Sequence, residues 1–371
     1  MLDVYVKKIN HLSDIKDMLD EINFSEMFFK GEKILLKPNF VAPRENKTGA
    51  TTNLELIKII ADNLHKIGAK PALIETPGME YELKQVLDYL NISEFAQKNQ
   101  IELIIPAKSD YVDVKVPNYE IIKYINVPKT VLENKIINIP VMKTHVITTV
   151  TLGMKNLMGL CSDKTKRNMH IRGIHKSIID LNKVIKPTLT IIDAINCMEG
   201  DGAVYGNVRK ANYLLAGKNI TAVDKVACKF MCIDINKVKH ISGFPLKDSI
   251  KVIGNFKSNK FQLPKPGKIY NFLYRGLYVI DVLFERIFSE HFNTFLYKTG
   301  HFGTRPVIQP GCTKCSICLE ICPTNAIDIE RKKINYKLCL RCLRCYEACP
   351  ENAISVKGFS NPEHRRRKNV R

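Results

Sequence analysis

The stretch CTKCSICLEICPTNAI, residues 312–327, is answered by CLRCLRCYEACPENAI, residues 339–354. Each carries cysteine in the pattern C-x2-C-x2-C-x3-C with proline next, and the second copy follows the first at 27 residues. The match goes beyond cysteine: Pro323-Thr324-Asn325-Ala326-Ile327 aligns with Pro350-Glu351-Asn352-Ala353-Ile354. This is one supersecondary unit, duplicated.

Three thiolates spaced in this way wrap one face of an iron–sulfur cubane, and the fourth cysteine reaches the neighbouring cluster. Cys312, Cys315, Cys318 and Cys349 are therefore assigned to one [4Fe–4S] cluster. Cys339, Cys342, Cys345 and Cys322 are assigned to a second. Tetrahedral zinc needs only paired CxxC units. The proline after each fourth cysteine ends a short helix. Arg341 and Arg344 lie between ligands, where they either raise a cluster potential or face solvent.

The chain has 371 residues, enough for two or three domains. Its formal net charge is +20. Eight cluster thiolates on two oxidised cores would lower that by roughly four charges. The basic residues are scattered, which argues against nucleic acid as a partner. The concentrated run is Arg365-Arg366-Arg367-Lys368, read as a solvated tail or as a contact for an acidic partner or membrane surface. No signal peptide and no apolar run long enough to span a bilayer are evident, so a cytoplasmic location is expected. Twelve cysteines in such a chain point to metal ligation rather than disulfides.

Only four of those cysteines precede residue 305, which sets the main domain boundary. Before it, strand and helix signals alternate. Lys33–Lys37, Ala72–Glu75, Ile101–Ile105, Lys135–Val141, Leu189–Asp193 and Tyr213–Ala216 read as strands. Asn53–Ile67, Glu82–Leu90 and Ala222–Met231 read as helices. The expected fold is α/β: a mostly parallel sheet with helices on both faces, plus a small α+β two-cluster ferredoxin-like domain. The division is 1–254 for the α/β domain, 255–304 for an aromatic-rich linker or helix, 305–358 for the cluster domain and 359–371 for the basic tail. The linker's aromatics, between Tyr270 and Tyr297, suit a helix packing the domains together, or a membrane-surface or partner-docking face.

Polar clusters follow the strand candidates: Lys37-Pro38-Asn39-Phe40, Glu75-Thr76-Pro77-Gly78, Lys143-Thr144-His145, and Asp193 with Met198-Glu199-Gly200-Asp201-Gly202. Ligands of open α/β sheets bind beyond the carboxyl ends of the strands, so these clusters mark the candidate site. A helix opening near Thr148 would offer its N-terminal amides to an anion, with Lys143 beside it. Lys143, His145, Asp193 and Glu199 are the candidates for catalysis. Lys37, Asn39, Lys155 and Asn156 are the candidates for binding. Each has a plainer reading as a strand-end or loop-closing polar group. Arg172, His175 and Arg209 are possible anion contacts, and Asp224 reads as a helix cap or a site residue. Cys161 is a candidate reactive thiol, whereas Cys197, Cys228 and Cys232 read as buried. No dinucleotide fingerprint and no P-loop are present.

KPNFVAP at 37–43, VMKTH at 141–145, TLGMKNLMG at 151–159, DAINCMEGDGAVYG at 193–206 and AVDKVACK at 222–229 together resemble the family called domain of unknown function 362. The resemblance covers roughly residues 30–235. It implies a fold and a site region, often with an attached two-cluster ferredoxin module, and no assigned reaction. The expected activity is an iron–sulfur oxidoreductase passing single electrons to a small anionic substrate, served by an external electron donor or acceptor protein. The alternatives are an electron-transfer or docking subunit without its own substrate, and a non-redox enzyme with structural clusters. The sequence leaves open whether a flavin or metal adds to the two clusters.

Overall fold

The computed structural model describes residues 1–76, 83–200, 202–204, 206–264, 305–322, 324–339, 344–351 and 353–357. Pro77, Gly78, Asp201, Arg341, Cys342, the aromatic segment and the basic tail lie outside the described residues. The described chain falls into two compact units, 1–264 and 305–357.

The first unit is built on strands β1 (Leu2–Lys8), β2 (Lys33–Lys37), β3 (Lys70–Ile74) and β4 (Glu102–Ile104), with a separate hairpin of β5 (Tyr111–Lys115) and β6 (Tyr124–Pro128). Then follow β7 (Lys135–Asn138), β8 (Val141–His145), β9 (Thr149–Thr151), β10 (Leu189–Glu199), β11 (Asn207–Gly217) and β12 (Ile250–Ile253). The sheet runs β12-β1-β11-β10-β7-β2-β3-β4, and β8 continues beside β10 with β9 on its far edge. The β4-β3-β2-β7-β10 half is parallel throughout, while β11 runs antiparallel to both β10 and β1. The sheet is thus mostly parallel but mixed.

Alternation along β2 shows that both faces are covered. Leu35 joins one apolar cluster, shared with Ile192, Leu215 and Phe230. Its neighbours Ile34 and Leu36 are equally buried but stand outside that cluster, because successive side chains point to opposite faces. Helix α1 (Ser13–Glu21) packs against α2 (Leu54–Ile67). Helices α3 (Leu83–Tyr89), α4 (Ile92–Lys98) and α5 (Lys129–Glu133) follow. Helices α6 (Gly153–Asn156), α7 (Asp163–Arg172), α8 (Ile174–Val184), α9 (Ile220–Phe230) and α10 (Lys239–Ser242) form a second group, linked by α6–α8, α6–α9 and α8–α10 contacts.

Helix α2 shows how sequence sets an element. Asn53 caps it by accepting from Glu55 N, and Gly68 closes it in the left-handed region at φ 80°. Between them Leu56, Ile57, Ile60, Ala61 and Leu64 form one buried face. Each large side chain buried there contributes about 1.5–3 kcal/mol.

The second unit pairs β13 (Arg305–Ile308) with β16 (Ile354–Lys357), and β14 (Ile327–Asp328) with β15 (Lys333–Ile334), both antiparallel. Its short helices are α11 (Ile317–Glu320) and α12 (Arg344–Ala348). The small core mixes Ile327, Ile329, Ala353 and Ile354 with Cys318, Cys345 and Cys349. Cysteines stand where a larger domain would place aliphatic side chains.

Candidate functional site

Lys37 ends β2 and Lys143 lies within β8, and both side chains are buried, at 1% and 0% exposure. The Lys37 Nζ donates to Glu75 Oε2 at 2.9 Å and to Pro38 O at 2.6 Å. The same Glu75 oxygen accepts from Phe40 N at 3.2 Å. Gly159 makes this pair possible: a Cβ there would lie 2.8 Å from Lys37 Nζ and 3.1 Å from Glu75 Oε1. The glycine of the TLGMKNLMG motif is therefore the surface on which the ion pair rests.

Lys143 Nζ donates to Asn39 Oδ1, to Ala50 O at 2.7 Å and to Ala203 O at 3.4 Å. Asn39 Nδ2 passes the chain on to Asn156 Oδ1 at 2.9 Å, and Asn156 Nδ2 donates to Asn138 Oδ1 at 2.8 Å. Four sequence candidates, Lys37, Asn39, Lys143 and Asn156, thus share one network across β2, β7, β8 and α6. Burial pushes the Lys143 amine well below its ordinary range, helped by Lys155 and Lys37 and opposed by Asp193 and Glu75.

His145 ends β8. Its Nδ1 accepts from Ile147 N at 3.0 Å and from Thr148 N at 3.4 Å, which leaves the ring proton on Nε2. Burial, followed by the charges of Lys155, His170, Lys143 and His240, holds it neutral. His170 is lowered to about 3 by burial and by Lys155. His240 is fully buried and meets His175 with 3.0 Å between the two Nδ1 atoms, while its own Nε2 has no partner. Lys166 is also buried and donates to Thr76 Oγ1 at 2.7 Å. The strand ends therefore open on a concentration of Lys37, Lys143, Lys155, Lys166 and neutral histidines, faced by Glu75 and Asp193. Lys166, His170 and His240 had no sequence signal. Their spacing suits a polar helix face, and only the fold turns them inward.

The acidic candidates are engaged by the fold. Asp193 is buried and accepts from Asn53 N at 2.9 Å and Ile195 N at 3.1 Å, tying β10 to the start of α2. Burial raises it to about 6 despite those bonds. Glu199 accepts from Arg209 Nη1 at 2.8 Å and from Gln262 N at 3.1 Å. The glycine-rich loop docks on β8 through Thr144 Oγ1, which donates to Gly200 O at 2.8 Å. Among the described residues, no three His, Cys, Asp or Glu side chains gather to hold a single metal ion.

Three expectations are corrected. The helix near Thr148 opens at Gly153, because Thr149–Thr151 is extended as β9. Its first amides are not free for an anion: Asp224 accepts from Gly153 N at 2.7 Å and Met154 N at 2.9 Å. Cys161 is buried and its thiol pushed up to about 12, so it is no ready nucleophile. Cys232, expected to be buried, is exposed just past α9 at φ 53°.

In the second unit Cys318, Cys345 and Cys349 are buried in one small core, with Cys312 and Cys322 packed against it. Cys318 feels burial first, then the neighbouring Cys312, Cys315 and Cys349, the set assigned to one cluster. The fourth cysteines of the two repeats have matched surroundings: Cys322 Sγ accepts from Ala326 N at 3.3 Å and Cys349 Sγ from Ala353 N at 3.2 Å. Backbone N–H groups aimed at sulfur are the kind of contact that stabilises a thiolate ligand. The donor set fits a [4Fe–4S] cluster.

An α/β unit with basic strand ends, joined to a cysteine-cored module, is the class these features define. Residues 34–229 match the family described as domain of unknown function (DUF362), and residues 311–353 match the 4Fe-4S dicluster domain. The chain belongs to the DUF362 family and is an iron–sulfur, electron-transfer protein. A thylakoid-associated protein of Synechocystis sp. is 24% identical over 231 residues, covering 60% of this chain and 70% of that protein. The lactate racemase apoprotein from Thermoanaerobacterium thermosaccharolyticum superposes with TM-score 0.43 at 10% identity, over 62% of this chain and 57% of that one. No described helix is long and apolar enough to cross a membrane.

Proposed function

We propose that this protein is an oxidoreductase that carries two [4Fe–4S] clusters and reduces a small anionic organic substrate in the α/β unit. The observation that carries the reading is the cluster of buried Lys37, Lys143 and His145 beside the partly buried Lys155, in a chain that also holds a 4Fe–4S dicluster domain. The clusters supply single electrons, drawn from an external low-potential carrier protein. Two such electrons and two protons convert the substrate to its reduced form.

Lys155 and the lysines behind it favour negative charge at the strand ends. His145 keeps a proton on Nε2 and is the group suited to deliver it. Lys143, with its amine destabilised as a cation by burial, is the second proton-holding group. Asn39 and Asn156 fix the position of Lys143, and Asp193 anchors β10 to α2. Glu199, paired with Arg209, positions the glycine-rich loop.

The test is anaerobic preparation, iron and sulfide counting, and electron paramagnetic resonance of the dithionite-reduced protein with a panel of anionic metabolites. About eight irons per chain and a spin-coupled signal are expected. Reoxidation of the clusters by one metabolite, abolished in Lys143→Met with iron retained, supports the reading. Clusters that stay reduced against the panel yet discharge into a carrier protein would favour the electron-transfer subunit. That reading draws on the pairing of buried Lys37 with Glu75, which takes up its charge.

A further inference from the structure

Lys332 lies in the turn between β14 and β15. Its Nζ donates to Pro310 O and Cys312 O, both at 2.9 Å. The ammonium is thereby fixed against the loop that begins the first cysteine set. Cys312, Cys315 and Cys349 are the thiols whose charges reach Cys318.

Two further observations bear on this lysine, and the second separates it from Lys314, itself left-handed at φ 60°. Its backbone is left-handed, φ 51°, a conformation that glycine and asparagine adopt more readily than a long side chain does. A strained residue kept in place points to a use for its side chain. Its charge is also uncompensated: Lys314 on the same loop is paired with Glu330 at 2.6 Å, whereas no carboxylate lies within ion-pair distance of Lys332 among the described residues. The duplication gives no second copy, since 27 residues onward the position is Phe359.

We infer that Lys332 is a positioning residue that raises the reduction potential of the cluster held by Cys312, Cys315, Cys318 and Cys349. The inference rests on the two-cluster reading above. One electron arrives from the external carrier and no bond is made or broken. The reduced cluster is one charge more negative than the oxidised one, so a fixed ammonium stabilises the reduced form. Coulomb's law at an effective dielectric of about 20 makes one charge about 12 Å away worth roughly a tenfold change in the ratio of reduced to oxidised cluster, and a closer charge worth more.

The experiment is a potentiometric titration of the full chain under anaerobic conditions, followed by electron paramagnetic resonance. Lys332→Gln keeps a donor for the two carbonyls and removes the charge. Lys332→Asn removes the charge in a residue that tolerates the left-handed backbone, and serves if the glutamine variant takes up less iron. Each should move one reduction wave to lower potential and leave the other in place, with iron unchanged. Lys332→Arg should restore the wild-type wave. Lys333→Met removes an adjacent, more exposed charge and should shift neither wave appreciably. An unmoved pair of waves in an iron-replete neutral variant overturns the inference, as does an equal shift of both. Iron counting on the wild type judges the two-cluster reading separately. With about four irons and a single wave, that reading fails. Once loss of the wave in Cys315→Ser has assigned it to the first cysteine set, its shift supports the role of Lys332 and an unmoved wave overturns it. A wave that survives Cys315→Ser leaves no such cluster and overturns the inference too.

Discussion

Lys37 and Glu75 show what a buried charged pair asks of its neighbours. Each takes the other's charge, and Pro38 O, Phe40 N and Thr76 N add further hydrogen bonds. Removing one partner leaves an uncompensated charge in the interior, which costs about 3–5 kcal/mol, while removing both together costs less. Lys37→Met should therefore lower stability by about that amount in urea denaturation followed by far-ultraviolet circular dichroism. Lys37→Met combined with Glu75→Leu should recover part of the loss. A double-variant loss equal to the sum of the Lys37→Met and Glu75→Leu single losses would show that the pair is not coupled. The sequence placed Lys37, Asn39, Lys143 and Asn156 in one site region. It could not show that all four belong to one hydrogen-bonded network, because 117 residues separate Asn39 from Asn156.

At the scale of elements, α6 depends on another helix for its start. It has four residues, too few to be stable alone. Asp224, projecting from α9, accepts the two amides that open it. Burial raises this carboxyl to about 7 in spite of those bonds. Asp224→Ala leaves both amides without a partner in a dry interior and should cost about 2–4 kcal/mol. Asp224→Asn keeps one acceptor and should cost less. Denaturation curves of the two variants distinguish a capping role, which requires this order, from a side chain that merely fills space. The helix was legible as an apolar and polar pattern, but its opening was not. Thr149–Thr151 pairs as β9 with β8, and a three-residue strand leaves too little periodicity to recognise.

Over the whole α/β unit, buried titratable groups set an acid response. Native His170 and His175 titrate near about 3 and about 4, and His145 and His240 lie well below the ordinary 6.5. Native Asp193 and Asp224 are raised to about 6 and about 7 from 3.8. Between pH of about 4 and 6 the unfolded chain binds the histidine protons that the native state refuses. The native state keeps the two carboxyl protons that the unfolded chain releases. Four histidines outweigh two carboxyls, so the unfolded state binds more protons and stability rises with pH across this window. His240→Gln should make that rise shallower by about one proton. Denaturant titrations at several pH values measure it, and stability falling from pH 4 to 6 would contradict the balance.

Sequence alone determined what depends on local spacing: the duplicated cysteine frame, the α/β alternation, and the strand-end position of Lys37. Covalent spacing decides which thiols can share a cluster, and hydrophobic period decides helix or strand, so both can be read from the chain. Only the tertiary structure decided the antiparallel insertion of β11, the capping of α6 by Asp224, and the inward turn of Lys166, His170 and His240. It also placed Lys332 against the first cysteine loop. These outcomes depend on contacts between residues far apart in the chain. There, a polar side chain is drawn inside by partners that no local pattern announces.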